Sequence, residues 1–108
     1  MLTGKNKERF EQFYADKFQH GSFYKLGWFY GLPLSMQVGV VQDYADSIGY
    51  DVNVCQFSGM FMFLITNKAL DIWKSGFDYP TRNEAITSAI KAFDDFANRD
   101  TRKVKHKK

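Results

Sequence analysis

Residues 60–66, MFMFLIT, decide the fold because they are apolar at every position on both alternating faces, except for the final threonine. A short run of this kind is typical of a strand with protein on both sides. The preceding residues 50–57, YDVNVCQF, alternate between apolar and polar side chains, and Ser58-Gly59 suits the tight turn of a hairpin. The pattern predicts that residues 60–66 form the central strand of an antiparallel sheet whose two faces are both shielded from water.

A third strand and a helix are predicted after this hairpin. Residues 70–77 alternate again and predict the third strand. Residues 81–84, TRNE, have the pattern of a capping box, in which Thr81 accepts a hydrogen bond from a helix amide and Glu84 reaches back. The apolar residues that follow recur at helical spacing; they are Ile86, Ala89, Ile90, Phe93 and Ala97.

Two helices are predicted before the sheet. The first spans residues 5–18 and the second spans residues 33–48, where Pro33 suits a helix start and Gly49 suits a helix stop. Between them lie residues 22–33, SFYKLGWFYGLP. Their glycines argue against a regular helix and their rings argue against a solvated loop. A short strand and an ordered aromatic lid are both compatible with this segment.

The sequence therefore predicts an α+β fold with a three-stranded antiparallel sheet, with a fourth short strand as an option, packed by amphipathic helices. The expected order is α-(aromatic segment)-α-β-β-β-α. Residues 1–98 are expected to form one domain and residues 99–108 a basic, disordered tail. The second and last helices should share one sheet face. The first helix with the aromatic segment, or a second copy of the chain, should cover the other.

Composition indicates a globular chain. Of the 108 residues, 44% are hydrophobic and 25% are charged, and 18% are aromatic. The single cysteine, Cys55, allows no internal disulfide, which is typical of a reducing compartment. The amino-terminal residues are charged without an apolar segment, and no apolar run approaches the length of a membrane helix. We expect a soluble cytoplasmic protein with no membrane association.

The residue types suited to catalysis are few and scattered. His20 and His106 lack metal-ligating neighbours at a useful spacing. Cys55 lies in a predicted strand, where a buried, inert thiol is expected. Asp43 and Asp46 are three residues apart on a helix, and a solvated helix face explains them better than a metal or proton site. The sequence predicts no enzyme, no cofactor and no metal site.

The basic residues concentrate at the carboxyl end. Residues 99–108 hold six of the 15 Lys/Arg and one of the 12 Asp/Glu, which leaves nine basic and eleven acidic residues in the body. Such a tail can neutralise phosphates and give weak, salt-sensitive binding to nucleic acid. A nucleic-acid-associated protein is thus the alternative function. The candidate residues are Arg102, Lys103, Lys105, Lys107 and Lys108.

The aromatic segment supplies the candidate protein-binding residues. Large aromatic side chains dominate the binding energy of many protein interfaces. The candidates are Phe23, Tyr24, Trp28, Phe29 and Tyr30. The competing interpretation is that these rings cap the sheet and complete the protein's own core.

Two segments resemble a known group of sequences. Residues 32–50, LPLSMQVGVVQDYADSIGY, and residues 77–93, FDYPTRNEAITSAIKAF, are similar to paired segments in small uncharacterised proteins of bacteriophages and prophages of gut bacteria. The resemblance implies an accessory protein acting in a bacterial cytoplasm. Together with the aromatic surplus, it predicts a non-catalytic protein-binding module, an accessory factor or an inhibitor of a host system. Its partner would be a host or phage protein, with a homodimer as a further option.

Overall fold

The computed structural model describes residues 2–18 and 26–100. It confirms the α+β fold and its order. Three β-strands and four α-helices are present in these residues, with a short 3₁₀ turn at Lys68–Leu70. The elements are α1 (Gly4–Phe18), α2 (Leu26–Tyr30), α3 (Leu34–Ser47), β1 (Asp51–Phe57), β2 (Met60–Asn67), β3 (Ile72–Tyr79) and α4 (Arg82–Arg99).

The sheet has the antiparallel order β1-β2-β3, so the apolar strand β2 is central as predicted. The β1–β2 register is continuous, with Asp51 opposite Thr66 and Phe57 opposite Met60. Ser58 and Gly59 form the hairpin turn, and both have positive φ, as the turns that match strand twist require. The optional fourth strand is wrong for the described part of the aromatic segment, because Leu26–Tyr30 is helical.

The third strand begins two residues later than predicted. The Asn67 side chain accepts a hydrogen bond from the Leu70 backbone nitrogen at 3.3 Å, which stabilises the 3₁₀ turn after β2. Asp71 then adopts a left-handed conformation with φ 53°, and β3 starts at Ile72. A local side-chain cap thus replaces the first residues of the expected strand.

The Thr81 cap of α4 is confirmed, and Glu84 reaches back to the Thr81 hydroxyl. The Glu84 backbone nitrogen donates to Thr81 Oγ1 at 3.2 Å, and Thr81 Oγ1 donates to Glu84 Oε2 at 3.1 Å. From this start α4 crosses all three strands, whereas α3 packs beside it on β1. The second and last predicted helices therefore share one sheet face, as expected.

The core lies between this face and the helices. Val52, Phe63 and Ile65 of the sheet are buried in one cluster with Ile86 and Phe93 of α4. Helix α1 contacts α2, α3 and α4, where Phe10 and Tyr14 add fully buried rings. All the described helices therefore contribute to a core on a single side of the sheet.

Candidate functional site: an exposed apolar sheet face

The alternation of β2 assigns its side chains to two different faces. Phe63 and Ile65 are buried against the helices, whereas Met60, Met62 and Leu64 point to the opposite side and are only partly buried. Neighbouring strands add large side chains to that opposite side. We call it the outer sheet face, and its apolar residues are Phe57, Met60, Met62, Leu64, Trp73 and Phe77.

The aromatic residues of the outer sheet face are open to solvent. Trp73 is 72% exposed, Phe57 71% and Phe77 59%. The prediction that helix α1 with the aromatic segment covers this face is therefore wrong for the described residues, whereas cover by a second copy of the chain stays a prediction. Helix α1, the expected cover, packs on α3 and α4 instead.

The strand register shows how these residues are arranged. Phe57 pairs with Met60 at one end of the β1–β2 hairpin, and Trp73 pairs with Thr66 toward the other end of β2. An irregularity in the β2–β3 register between Phe61 and Phe63 accompanies the left-handed Asp78. The apolar residues thus run along most of β2 and onto both edge strands.

Cys55 lies on this face in the edge strand β1, opposite Met62 of the central strand. The side chain is exposed, so the expectation of a buried thiol is wrong. The alternation of β1 explains the difference, because Val52 and Val54 turn toward the core and Cys55 turns away from it. The chain's single cysteine is therefore a natural chemical reporter for this surface.

Charge is nearly absent from the outer sheet face. Among the outward positions of the regular register, Asp51 at one corner is the only charged residue, and Asp78 lies in the irregular part of β3 across from Met62. The polar positions are otherwise neutral; they are Asn53, Thr66 and Ser75. Depletion of charge with enrichment in aromatic residues and methionine is the composition of the centre of a protein interface.

The aromatic residues singled out from sequence occupy different environments. Phe29 is fully buried, with its ring centroid 5.1 Å from that of Phe10 and 5.4 Å from that of Tyr14. Its assignment as a partner-contacting residue is wrong, because it completes the core. Phe23 and Tyr24 lie outside the described residues.

Two members of that set, Trp28 and Tyr30, remain partly accessible, with 47% and 38% of their surface exposed. The Tyr30 hydroxyl donates to Glu11 Oε2 at 2.9 Å. Partial burial, together with this hydrogen bond and the charge of Glu11, raises the pKa of Tyr30 above its usual value. Tyr30 therefore has a structural role in joining α2 to α1.

Sequence reasoning missed Phe57, Trp73 and Phe77, although a signal was present. Trp73 and Phe77 are four residues apart in one strand, so their side chains lie on the same face of the sheet. Ile72, which packs against the core, lies on the opposite face. Large aromatic side chains at the alternate positions of an edge strand that face away from the core, where polar residues are usual, indicate an exposed apolar surface. The aromatic segment gives a stronger sequence signal because its rings are nearly contiguous in the chain.

The remaining candidate groups do not assemble into a site. Asp43 and Asp46 are exposed on α3, and Asp43 Oδ2 lies 3.8 Å from Lys17 Nζ. In the described ranges, no group of three or more His, Cys, Asp or Glu side chains is placed to hold a metal ion. The tail residues Arg102, Lys103, Lys105, Lys107 and Lys108, and both histidines, lie outside those ranges.

A cavity of about 440 Å³ opens between α3 and α4 and is lined by Leu34, Gln37, Ile90 and Asp94, among others. Its buried polar groups already have partners within the fold. Gln37 Nε2 donates to the Leu32 carbonyl at 2.9 Å. Asp94 accepts hydrogen bonds from Asn6 of α1 and from Thr3, the residue before α1. These contacts explain the polar lining as part of helix packing.

Fold and surface together define an α+β protein with one sheet face covered by helices and the other face apolar and exposed. Comparison of the chain with known protein families, with curated proteins and with solved structures finds no significant match. None of the helices in residues 2–18 and 26–100 has the length and apolar character needed to cross a membrane.

Proposed function

We propose that this chain is a non-catalytic protein-binding module that contacts its partner through the outer sheet face. The observation that carries the proposal is the exposure of three aromatic side chains, Phe57, Trp73 and Phe77, on one sheet surface that carries little charge. Exposing this much apolar surface to water is unfavourable. Burying it against another apolar surface would lower the free energy.

The chemistry of the face favours a protein over a nucleic acid. Phosphate groups need cationic or hydrogen-bonding partners, and no lysine or arginine occupies an outward position of the three strands. A protein partner needs aromatic anchors and a low-charge centre, which this surface offers. Single-stranded nucleic acid can stack on exposed rings, so it is included in the test.

The biological setting that we propose is a bacterial cytoplasm, with the chain acting as a phage or mobile-element accessory protein or as an inhibitor of a host system. The resemblance of residues 32–50 and 77–93 to phage and prophage proteins supports this setting. The partner would then be a host or phage protein with an apolar patch.

The test compares three forms of the protein that differ only on the surface. Trp73→Glu places a charge on the outer sheet face at a side chain that is already mostly exposed. Met36→Glu places the same charge on α3, where Met36 is 55% exposed and lies beside the edge strand β1 but outside the outer sheet face. Proteins captured from bacterial extract by each form are identified and then recombined as purified components with the wild-type chain.

The proposal expects a partner that binds the wild type and Met36→Glu in purified form and does not bind Trp73→Glu. Identical capture by all three forms would show that the outer sheet face is not the binding surface. A parallel fluorescence titration uses short duplex and single-stranded DNA and RNA, with and without residues 101–108. Nucleic-acid binding that disappears with those residues would support the tail hypothesis instead.

A further inference from the structure

We infer that the partner seated on the outer sheet face is a second copy of this chain, with the two faces stacked around a twofold axis. This inference rests on the proposed function, since it names the partner for the same surface. It would turn each two-layer protomer into half of a symmetric assembly, with the helices outside and the two sheets inside.

The exposed area matches what a symmetric dimer needs. A full aromatic side chain contributes roughly 150–250 Å², so the exposed fractions of Phe57, Trp73 and Phe77 amount to about 400 Å². The partly exposed Met60, Met62 and Leu64 add to this area. A standard interface buries about 800 Å² per partner, and homodimer interfaces are about 65% apolar, which is roughly 500 Å².

The charge pattern also suits self-association. In an interface with twofold symmetry the same patch occurs on both partners, so a charge near the axis would meet its own copy and repel it. The outer sheet face limits this conflict, because Asp51 lies at the first position of the edge strand β1 and Asp78 lies near the end of the edge strand β3. The centre of the face instead holds Met62 and Leu64 of the middle strand.

Sheet stacking is a geometry that these side chains can fill. Two sheets that pack face to face lie about 10 Å apart, with side chains from both faces interdigitating between them. The flexible side chains of Met60 and Met62 adapt readily to a facing surface. In this arrangement Cys55, opposite Met62, would be covered by the second copy.

The experiment measures mass and cysteine accessibility on the same samples of the purified full chain. Light scattering after size exclusion gives the mass, and the rate of labelling by a maleimide gives the accessibility of Cys55. Both are measured from 1 to 300 µM, concentrations that we set as roughly those spanning moderate to weak association. The wild type and Met36→Glu should change from monomer to dimer with rising concentration, and labelling should slow at least fivefold.

Trp73→Glu and Phe77→Glu should remain monomers and label rapidly at every concentration. Their circular dichroism and thermal unfolding establish that each is folded, and two variants are used so that one unfolded protein does not decide the result. A wild-type monomer with concentration-independent labelling would overturn the inference. A dimer that persists in both variants, or that leaves Cys55 fully reactive, would also overturn it.

These results are separable from the test of the proposed function. If the wild type is monomeric but a purified partner binds it and not Trp73→Glu, the face binds a different protein and only the second-copy inference fails. If the wild type is monomeric and no partner distinguishes Trp73→Glu from Met36→Glu, both proposals fail.

Discussion

The side-chain amide nitrogen of Asn6 lies 2.8 Å from a carboxylate oxygen of Asp94, although 88 positions separate the two residues in the chain. Both are buried. The Asn6 side-chain oxygen also accepts a hydrogen bond from the Tyr44 hydroxyl at 2.7 Å. Helices α1, α3 and α4 therefore meet at one buried polar cluster, which fixes α1 against the other helices and leaves the outer sheet face uncovered.

Replacing Asp94 with alanine should destabilise the protein strongly. Its carboxylate accepts from the Thr3 backbone nitrogen at 3.1 Å, from Thr3 Oγ1 at 2.6 Å and from Asn6. Removing the acceptor leaves the buried Asn6 amide and the partly buried Thr3 donors without this partner, at a cost of about 2–4 kcal/mol in the free energy of unfolding. Urea unfolding monitored by circular dichroism measures this loss.

The matched control for that prediction is Asp95→Ala, on the same helix but exposed. It should change the free energy of unfolding by no more than about 0.5 kcal/mol. Equal losses in the two variants would show that the buried contacts of Asp94 add nothing beyond the contribution of an exposed aspartate on the same helix, because alanine itself favours the helix over aspartate.

Gly76→Ala should also be destabilising, for a steric reason. A Cβ atom at Gly76 would lie 2.3 Å from Cε2 of Phe63, which is far below van der Waals contact. We expect the free energy of unfolding to fall by about 1–3 kcal/mol, because the Phe63 ring must be displaced. The same substitution in a Phe63→Leu background should cost less, because the ring is gone. The free energies of unfolding of the wild type, the two single variants and the double variant form a thermodynamic cycle that measures this difference. If the effects of the two substitutions simply add, the steric explanation is contradicted.

Much of the fold could be predicted because its signals are local. The capping box at Thr81 and Glu84 marks the start of α4 within one residue, and the apolar run of residues 60–66 identifies the central strand. Both signals arise from residues that interact with their immediate neighbours in the chain or along one strand. The order of elements follows directly from them.

The position of α1 and the exposure of the sheet could not be predicted in the same way. Alternation shows that β2 has two apolar faces, but it does not show what packs on each of them. The contact that positions α1 joins Asn6 to Asp94, which are far apart in the chain. Nothing in the sequence around either residue indicates that the two form a hydrogen bond. The alternation of Trp73 and Phe77 indicates apolar surface on that side of the sheet, but no local pattern shows that the rest of the chain leaves it uncovered.

Gly39→Ala should stabilise the protein. Gly39 lies inside α3, is exposed, and has open space where a Cβ atom would be added. Alanine in a helix interior is favoured over glycine by about 1 kcal/mol, and it also reduces the entropy of the unfolded chain. An increase of about 0.5–1 kcal/mol in the free energy of unfolding is expected. A decrease would show that α3 does not have the open surface described here.

The Tyr44 hydroxyl should make stability depend on alkaline pH. Burial raises the pKa of Tyr44, and the nearby Asp94 charge adds to this, while Arg9 opposes it. In the unfolded chain the phenol ionises near pH 10. Above this pH the folded protein keeps a proton that the unfolded chain releases. The contribution of the protonated Tyr44 phenol to the free energy of unfolding is therefore complete below about pH 10 and is lost as the pH rises further.

Tyr44→Phe separates this ionisation from the other effects of high pH. The variant loses the hydrogen bond to Asn6 and should be about 1 kcal/mol less stable at pH 8. Between pH 10 and pH 11.5, set just above the usual tyrosine pKa of about 10, its free energy of unfolding should fall less steeply than that of the wild type. The difference in slope approaches about 1.4 kcal/mol per pH unit at most. Urea unfolding at several pH values measures both slopes, and parallel curves would show that the Tyr44 phenol ionises as readily in the folded protein as in the unfolded chain.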